Sequence, residues 1–467
     1  ANARDPYYQT YPGYLWRVPI AIVGGSAPHL GRIINGPTGL ELNYEYDPNT
    51  GFWDIVMQWP NPVLGLHNII LEIYDQNNTT PVTLNWNLHV RVENAVFVSL
   101  SRGNNNNDGT FANPIRDFLG LMGPLEPTTT FSRYTAYFES GTYNTLWDYD
   151  PSWPNQFNMP MRADQKAVQF IGIPGENVTI DVSPDGGPTF TGGAFGLGNG
   201  TNNGSPFVMK NIRCIGTCHQ PTGTAQRLVL VGESSNMLIF ESTFEGQVGP
   251  GTQGQNPSYF QFNRAQSNYA KGRNIFMRNN INDLNNYMFS EIYDMEQCVF
   301  QSNIISGTTS GISRLVYLKE LSRQFAIRGN TSLDTDSICV FIDSSVGQYT
   351  DIQVEYNNWK MATTGERFVV VGSTGTVPVG DIQLSRNTAT GGVIQFRGTG
   401  GGGPVNIQDC IRQTSEGVSG IDETVVGITW NLIRDSQAAS GIVDVNNKLI
   451  DRITNLGRLG AEVSDNP

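Results

Sequence analysis

Met277-Arg-Asn-Asn280, Phe300-Gln-Ser-Asn303, Ile327-Arg-Gly-Asn330, Val354-Glu-Tyr-Asn357 and Leu384-Ser-Arg-Asn387 are versions of one tetrapeptide, apolar-any-any-Asn. Their asparagines follow one another at 23, 27, 27 and 30 residues. A period in the twenties marks a stacked repeat, in which each unit buries its apolar face against the next. Asparagine tolerates the left-handed backbone region. The pattern therefore predicts one bend per lap, with Asn280, Asn303, Asn330, Asn357 and Asn387 at the left-handed position. Stacked at the strand spacing of about 4.8 Å, their amides would hydrogen-bond in file. Weaker versions extend the file: Cys214-Ile-Gly-Thr217, Phe240-Glu-Ser-Thr243 and Ile407-Gln-Asp-Cys410.

A second apolar run follows each bend. Leu228–Val231, Tyr259–Phe262, Tyr287–Phe289, Leu315–Leu318, Cys339–Ile342, Phe368–Val371 and Val393–Phe396 are almost free of charge, as suits buried parallel strands. The segments between differ in length. Residues 140–166 and 245–273 are the long excursions, and long insertions often carry a repeat protein's working surface.

Residues 1–95 read differently. Trp16–Val23, Leu40–Tyr46, Phe52–Trp59, Asn68–Tyr74 and Val82–Val92 are β-rich runs separated by Gly-Pro, Asp-Pro-Asn-Thr-Gly and Pro-Asn-Pro. Short strands at this spacing predict a β-sandwich. The order Pro37-x-Gly39-Leu40, Asp47-x-x-x-Gly51, Trp59-Pro60, Gly65-x-His67 and Asp75 resembles cadherin-like, immunoglobulin-type modules. That resemblance implies a spacer or docking piece, and makes calcium possible at Asp75.

After it, Ala95–Leu100 leads into Gly103-Asn-Asn-Asn-Asn-Asp-Gly109-Thr-Phe-Ala-Asn-Pro114. This stretch and the asparagine file resemble right-handed parallel β-helix proteins of the pectate-lyase-like kind. Ile115, Phe118, Leu119 and Met122 follow Pro114 at helical spacing, which predicts a short capping helix over 114–122. The expected fold is thus all-β: a sandwich over 1–95, a right-handed parallel β-helix over 96–440, and a cap or tail over 441–467.

Composition narrows the function. The net charge of −13 disfavours a phosphate-binding surface, so no nucleic-acid partner is expected. No run approaches 18 apolar residues, and no inserted span is expected. Cys298 and Cys339 lie in apolar runs and Cys214 and Cys218 have no second pair; reduced thiols and no bound metal are expected. The histidines His29, His67, His89 and His219 are scattered, without the pattern of a catalytic triad.

Two surface columns carry the candidate chemistry. Two residues before each asparagine, Glu241, Arg278, Gln301, Arg328, Glu355, Ser385 and Gln408 are expected to point outward as a flat polar strip. Such a strip suits sugar hydroxyls, plain solvent or a neighbouring subunit. After the second strands come Arg264, Glu291, Lys319 and Asp343. The bland reading is a charge ladder of little energetic consequence. The β-helix resemblance implies a sharper one, a polysaccharide lyase with Lys319 as base, Arg264 as neutraliser, and Glu291 and Asp343 as calcium ligands. Asp334, Asp336, Glu241 and Glu245 are the carboxylates available for hydrolysis.

The functional expectation is a virion- or surface-exposed structural protein for attachment or glycan binding, of the kind phage tailspikes and head-decoration proteins represent. It is expected to form a homotrimer, to touch other virion or surface proteins through the sandwich, and to need no cofactor beyond possible calcium; whether it is an enzyme is left open, with a polysaccharide lyase or endoglycosidase as the activity if it is one. An acidic-polysaccharide lyase and a cellular adhesin are the alternatives.

Overall fold

A computed structural model describes most of the chain between Gln9 and Asp435. The larger stretches outside the described residues are 1–8, 122–132, 145–166, 183–192, 198–205, 219–226, 249–257, 263–273, 308–313, 343–349, 372–381, 397–404, 414–427 and 436–467. The chain is all-β with long parallel sheets. The expected terminal cap over 441–467 and most of both long excursions fall outside the described residues.

Seven strands make the N-terminal unit: β1 Gln9–Thr10, β2 Trp16–Pro19, β3 Leu30–Asn35, β4 Glu41–Asp47, β5 Phe52–Trp59, β6 Gly65–Asp75 and β7 Asn78–Val90. They form one sheet in the order β1-β7-β6-β3 and a second in the order β2-β5-β4. The edge strand β3 was not expected, because Leu-Gly-Arg-Ile-Ile-Asn is half exposed and carries no clean alternation. Ile55, Met57 and Trp59 pack with Ile69, Leu71 and Leu88 between the two sheets. Strand β5 is also buried at Phe52, Asp54 and Val56, so both its faces are covered and the second sheet is a middle layer.

From Ala95 onward the strands pair in parallel, in sheets of twelve, eleven and eight strands. The chain visits them in turn. Asn274–Met277 joins the twelve-stranded sheet, Asn280–Asn282 the eleven-stranded one, Met288–Tyr293 the eight-stranded one, and Glu296–Gln301 returns to the first. Each lap between Ala167 and Phe396 thus lays one strand on each sheet. The apolar runs expected to follow each bend are the strands of the eight-stranded sheet. Phe276, Phe300, Ile327, Val354 and Leu384 stand in one register row. All of them are buried in one continuous core, each worth about 1.5–3 kcal/mol in hydrophobic transfer.

The bend between the twelve- and eleven-stranded sheets corrects the sequence reading twice. The left-handed residue comes before the asparagine: Arg278, Ser302, Gly329, Tyr356 and Arg386 have φ between 53° and 62°, and Asn211 and Glu241 take the same conformation before Ile212 and Ser242. In addition, the file runs through Asn279, not Asn280. Asn280 is exposed and opens the next strand, opposite Ile304. The doublet allows either register, since Phe276 and Met277 are both apolar. Phe276 faces the core and Met277 packs in the N-terminal unit's cluster, which decides for Asn279.

Asn303, Asn330 and Asn357 each make four side-chain hydrogen bonds, two donated and two accepted. Asn303 Oδ1 accepts from Asn279 N at 3.1 Å and Asn279 Nδ2 at 3.0 Å. Asn303 Nδ2 donates to Asn330 Oδ1 at 2.9 Å and to Phe276 O at 3.1 Å. Asn330 and Asn357 repeat the arrangement, ending on Asn387. Upstream, Ser242 N donates to Asn279 Oδ1, and Ser242 Oγ accepts from Ile212 N. Fully paired buried amides stabilise the bend, offsetting left-handed strain of about 1–2 kcal/mol per residue.

Within the expected capping helix, the structure has one turn, closed by Leu121 N donating to Asp117 O. Ile115, Phe118 and Leu121 are buried under the first lap. Cys214, Cys298 and Cys339 are buried free thiols. Burial pushes Cys214 and Cys298 up to about 12.

Candidate functional site

The outer face of the twelve-stranded sheet alternates with its core face, and its side chains form rows along the stack. One row reads Phe97, Tyr137, Ile171, Lys210, Phe240, Met277, Gln301, Arg328, Glu355 and Ser385. It changes from apolar to polar at Gln301. The polar part is the expected outward strip. Glu241 and Arg278, placed in that strip by the sequence pattern, stand one residue later, on the left-handed corner.

The N-terminal unit lies along this face. Tyr11 and Tyr14 pack on Phe97 and Tyr137, with ring centroids 5.2–6.5 Å apart. Further along, Phe52 stacks on Tyr356 at 5.6 Å, Asn358 Nδ2 donates to Asn49 O at 2.7 Å, and Arg386 Nη1 donates to Ala27 O at 3.2 Å. Gly329 holds φ +62°, and a Cβ there would meet the Phe52 ring at 2.9 Å.

Charge joins the two regions between these apolar ends. Arg17 pairs with Glu241 and with Glu45. Arg278 reaches Glu45 Oε2 at 2.7 Å and Asp54 Oδ2 at 2.8 Å. Gln301 Nε2 donates to Asp54 Oδ1 at 2.6 Å. Arg328 is fully buried; its Nη2 donates to Gln353 Oε1 at 2.9 Å, and its Nε lies 3.3 Å from Glu355 Oε1. Burial lowers the Arg328 pKa against the attraction of Glu355. Nearby, His29 is 4% exposed. Burial and the Arg328 charge push it down to about 4, while Gly24 O and Asp75 act in the opposite sense.

Near Tyr14 the seam forms a half-open cavity of about 230 Å³, lined among others by Thr10, Tyr14, Tyr137, Lys210, Asn211 and Glu241. Lys210 Nζ donates to Arg17 O at 3.1 Å, lies 3.9 Å from Glu241 Oε2 and sits 5.2 Å from the Phe240 ring centroid. Burial, helped by the Arg17 charge, pushes Lys210 down to about 7. Burial raises the Tyr14 phenol.

The five glycan-contact candidates therefore lie together, but beneath another part of the same chain. Gln301, Arg328 and Glu355 are buried, which corrects the expectation of a strip open to sugar or solvent. The lyase set is not brought together in one row. Glu291 pairs with Gln261 and Tyr317, whereas Lys319 pairs with Tyr293, two positions on. Glu291 is buried and accepts a 2.8 Å bond from the Tyr293 hydroxyl. Arg264 and Asp343 lie outside the described residues, as do Asp334 and Asp336. Glu245 is bound by Arg213 through 2.9 and 2.5 Å bonds, whereas Glu241 is held at the seam by Arg17. Among the described residues no three His, Cys, Asp or Glu side chains converge. Lys210 was missed by sequence reasoning. Its signal was a charge inside the apolar run Pro206-Phe-Val-Met-Lys210, at an outward position between Ile171 and Phe240.

Comparison with protein-family models, curated proteins and solved structures found no match.

Proposed function

We propose that the chain is a right-handed parallel β-helix with an immunoglobulin- or cadherin-like β-sandwich laid along its flank, and that it works as a structural protein of a virion or cell surface, serving attachment or glycan binding. One observation carries this reading: among the described residues, the polar side chains of the bend and of the outer face beneath the flank are spent on internal joins. The asparagine file locks lap to lap, and the Arg17–Glu241, Arg278–Asp54 and Gln301–Asp54 contacts lock the flank. A stiff rod of this kind transmits load and presents loops, as a tailspike, fibre or decoration protein must. The low charge content of 15% and the buried free thiols suit a particle protein made inside a cell and later displayed outside. Glycan contact is assigned to surfaces other than the seam.

Side-by-side association into a homotrimer belongs to the same reading, and it would use faces that the N-terminal unit leaves uncovered. Fractionation of the source material tests the assignment. The protein is expected to co-sediment with particles in fixed stoichiometry and to leave acidic polysaccharides intact. Release of an unsaturated, ultraviolet-absorbing product from such a polysaccharide, abolished in Lys319→Ala, would establish the lyase reading instead.

A further inference from the structure

The seam cavity is bordered by a side chain that takes part in the joint, donating to Arg17 O at 3.1 Å, and also faces open space. A lysine amine, 7% exposed, is carried there on the row between Ile171 and Phe240. Its surroundings weaken the hold on the ammonium form: burial beside the Phe240 ring, a neutral backbone carbonyl, Arg17 O, at 3.1 Å, and a carboxylate close by but beyond hydrogen-bond range. That carboxylate, Glu241, is held in place by Arg17, so it attracts the ammonium less than a free one would. Tyr14 and Tyr137 wall the remaining space, enough for a small organic molecule.

We propose that the cavity is a binding site for small aldehydes, in which Lys210 Nζ forms a reversible imine with the ligand and Glu241 relays the protons. The neutral amine's lone pair attacks the carbonyl carbon while the C=O π pair moves to oxygen. One N–H proton passes by way of the Glu241 carboxylate to that oxygen, giving a carbinolamine. The second N–H proton passes the same way to the hydroxyl, which leaves as water as the nitrogen lone pair forms the C=N bond. One amine and one aldehyde give one imine and one water, with no oxidant or reductant. The depressed basicity of Lys210 supports this, because it leaves much of the amine neutral where an ordinary lysine is almost wholly protonated. The site shares Glu241 with the seam lock, but it does not depend on the virion or surface role proposed above.

Reductive labelling of the full chain tests the proposal. Propanal and cyanoborohydride are added in limiting amount near pH 7, and peptide mass spectrometry follows each lysine. Lys210 is expected to be alkylated about tenfold faster than exposed Lys360, an advantage that shrinks as pH rises toward about 10. A Lys210 rate equal to or below that of Lys360 near neutrality overturns the proposal. Glu241→Gln, with its fold checked by circular dichroism, is expected to slow Lys210 labelling several-fold and leave Lys360 unchanged. An unchanged Lys210 rate in that variant overturns the relay assigned to Glu241.

Discussion

The asparagine bend and the seam are both polar, both buried and both built on the twelve-stranded sheet, yet they hold the molecule in different ways. At the bend, the same side chain meets itself every 24, 27, 27 and 30 residues, and each amide satisfies its neighbour completely. At the seam, Asp54 meets Gln301 across 247 residues, and no contact repeats. The bend stabilises neighbouring laps in one dimension, as in any stacked repeat. The seam clamps several laps at once through a separate unit. A lesion in the bend is therefore expected to be felt by the whole stack, whereas one in the seam loosens the flank and leaves the laps intact.

Asn330→Ala is expected to have the largest effect, about 3–5 kcal/mol of lost stability in denaturant unfolding, because it orphans buried partners on both adjacent laps. The neighbouring Asn280→Ala, at an exposed site, is expected to stay within about 0.5 kcal/mol. Equal losses for the two would erase the distinction between ladder and surface asparagine.

Acid is the next probe, and it addresses the seam. The folded His29 has its pKa near 4 against about 6.5 when unfolded, so the unfolded chain takes up the proton first. Stability is expected to fall as pH drops from about 6.5 to 4, by about 3 kcal/mol in all, with no further loss from this group below that. Lys210, also depressed, adds a loss in the same direction between about 10.5 and 7. His29→Leu should flatten the acid limb of the melting-temperature profile; a slope equal to the parent's would remove His29 as its source.

Asp54→Ala strips Arg278 and Gln301 of one shared acceptor. Its expected loss is about 2 kcal/mol, read as faster proteolysis in the 91–95 connection while the parallel sheets keep their hydrogen-exchange protection. Gly329→Ala is the mildest of the seam changes. The left-handed backbone and the Phe52 ring at 2.9 Å predict about 1–2 kcal/mol, and Phe52→Leu in the same chain should recover part of it in a double-mutant cycle.

Much of this was legible in the chain. The period, the second apolar run of each lap and the change of texture near residue 95 all come from local hydrophobic patterning, which the backbone must obey wherever the chain ends up. The file was misplaced at a single doublet. Asn279 and Asn280 satisfy the same local rule, and only the facing of Phe276 and Met277 separates them. The left-handed position was also misjudged. An asparagine can bend the chain, but here its amide is committed to four bonds and the preceding residue bends instead.

The candidate site was less legible. Alternation correctly placed Gln301, Arg328 and Glu355 on the outer face, and Arg278 close beside it, but an outward direction is not the same as exposure. Whether such a residue meets water depends on what else packs there, and its cover comes from a unit more than 200 residues away along the chain. The apolar half of the same row, with Phe97, Tyr137 and Ile171, already required a cover. The docking that answers that requirement also buried Lys210 and formed the half-open cavity beside it. Periodicity is a property of neighbours in sequence and so survives in the sequence; burial, and with it the altered acidity of Lys210 and His29, arises from desolvation by distant segments and exists only once the chain has folded.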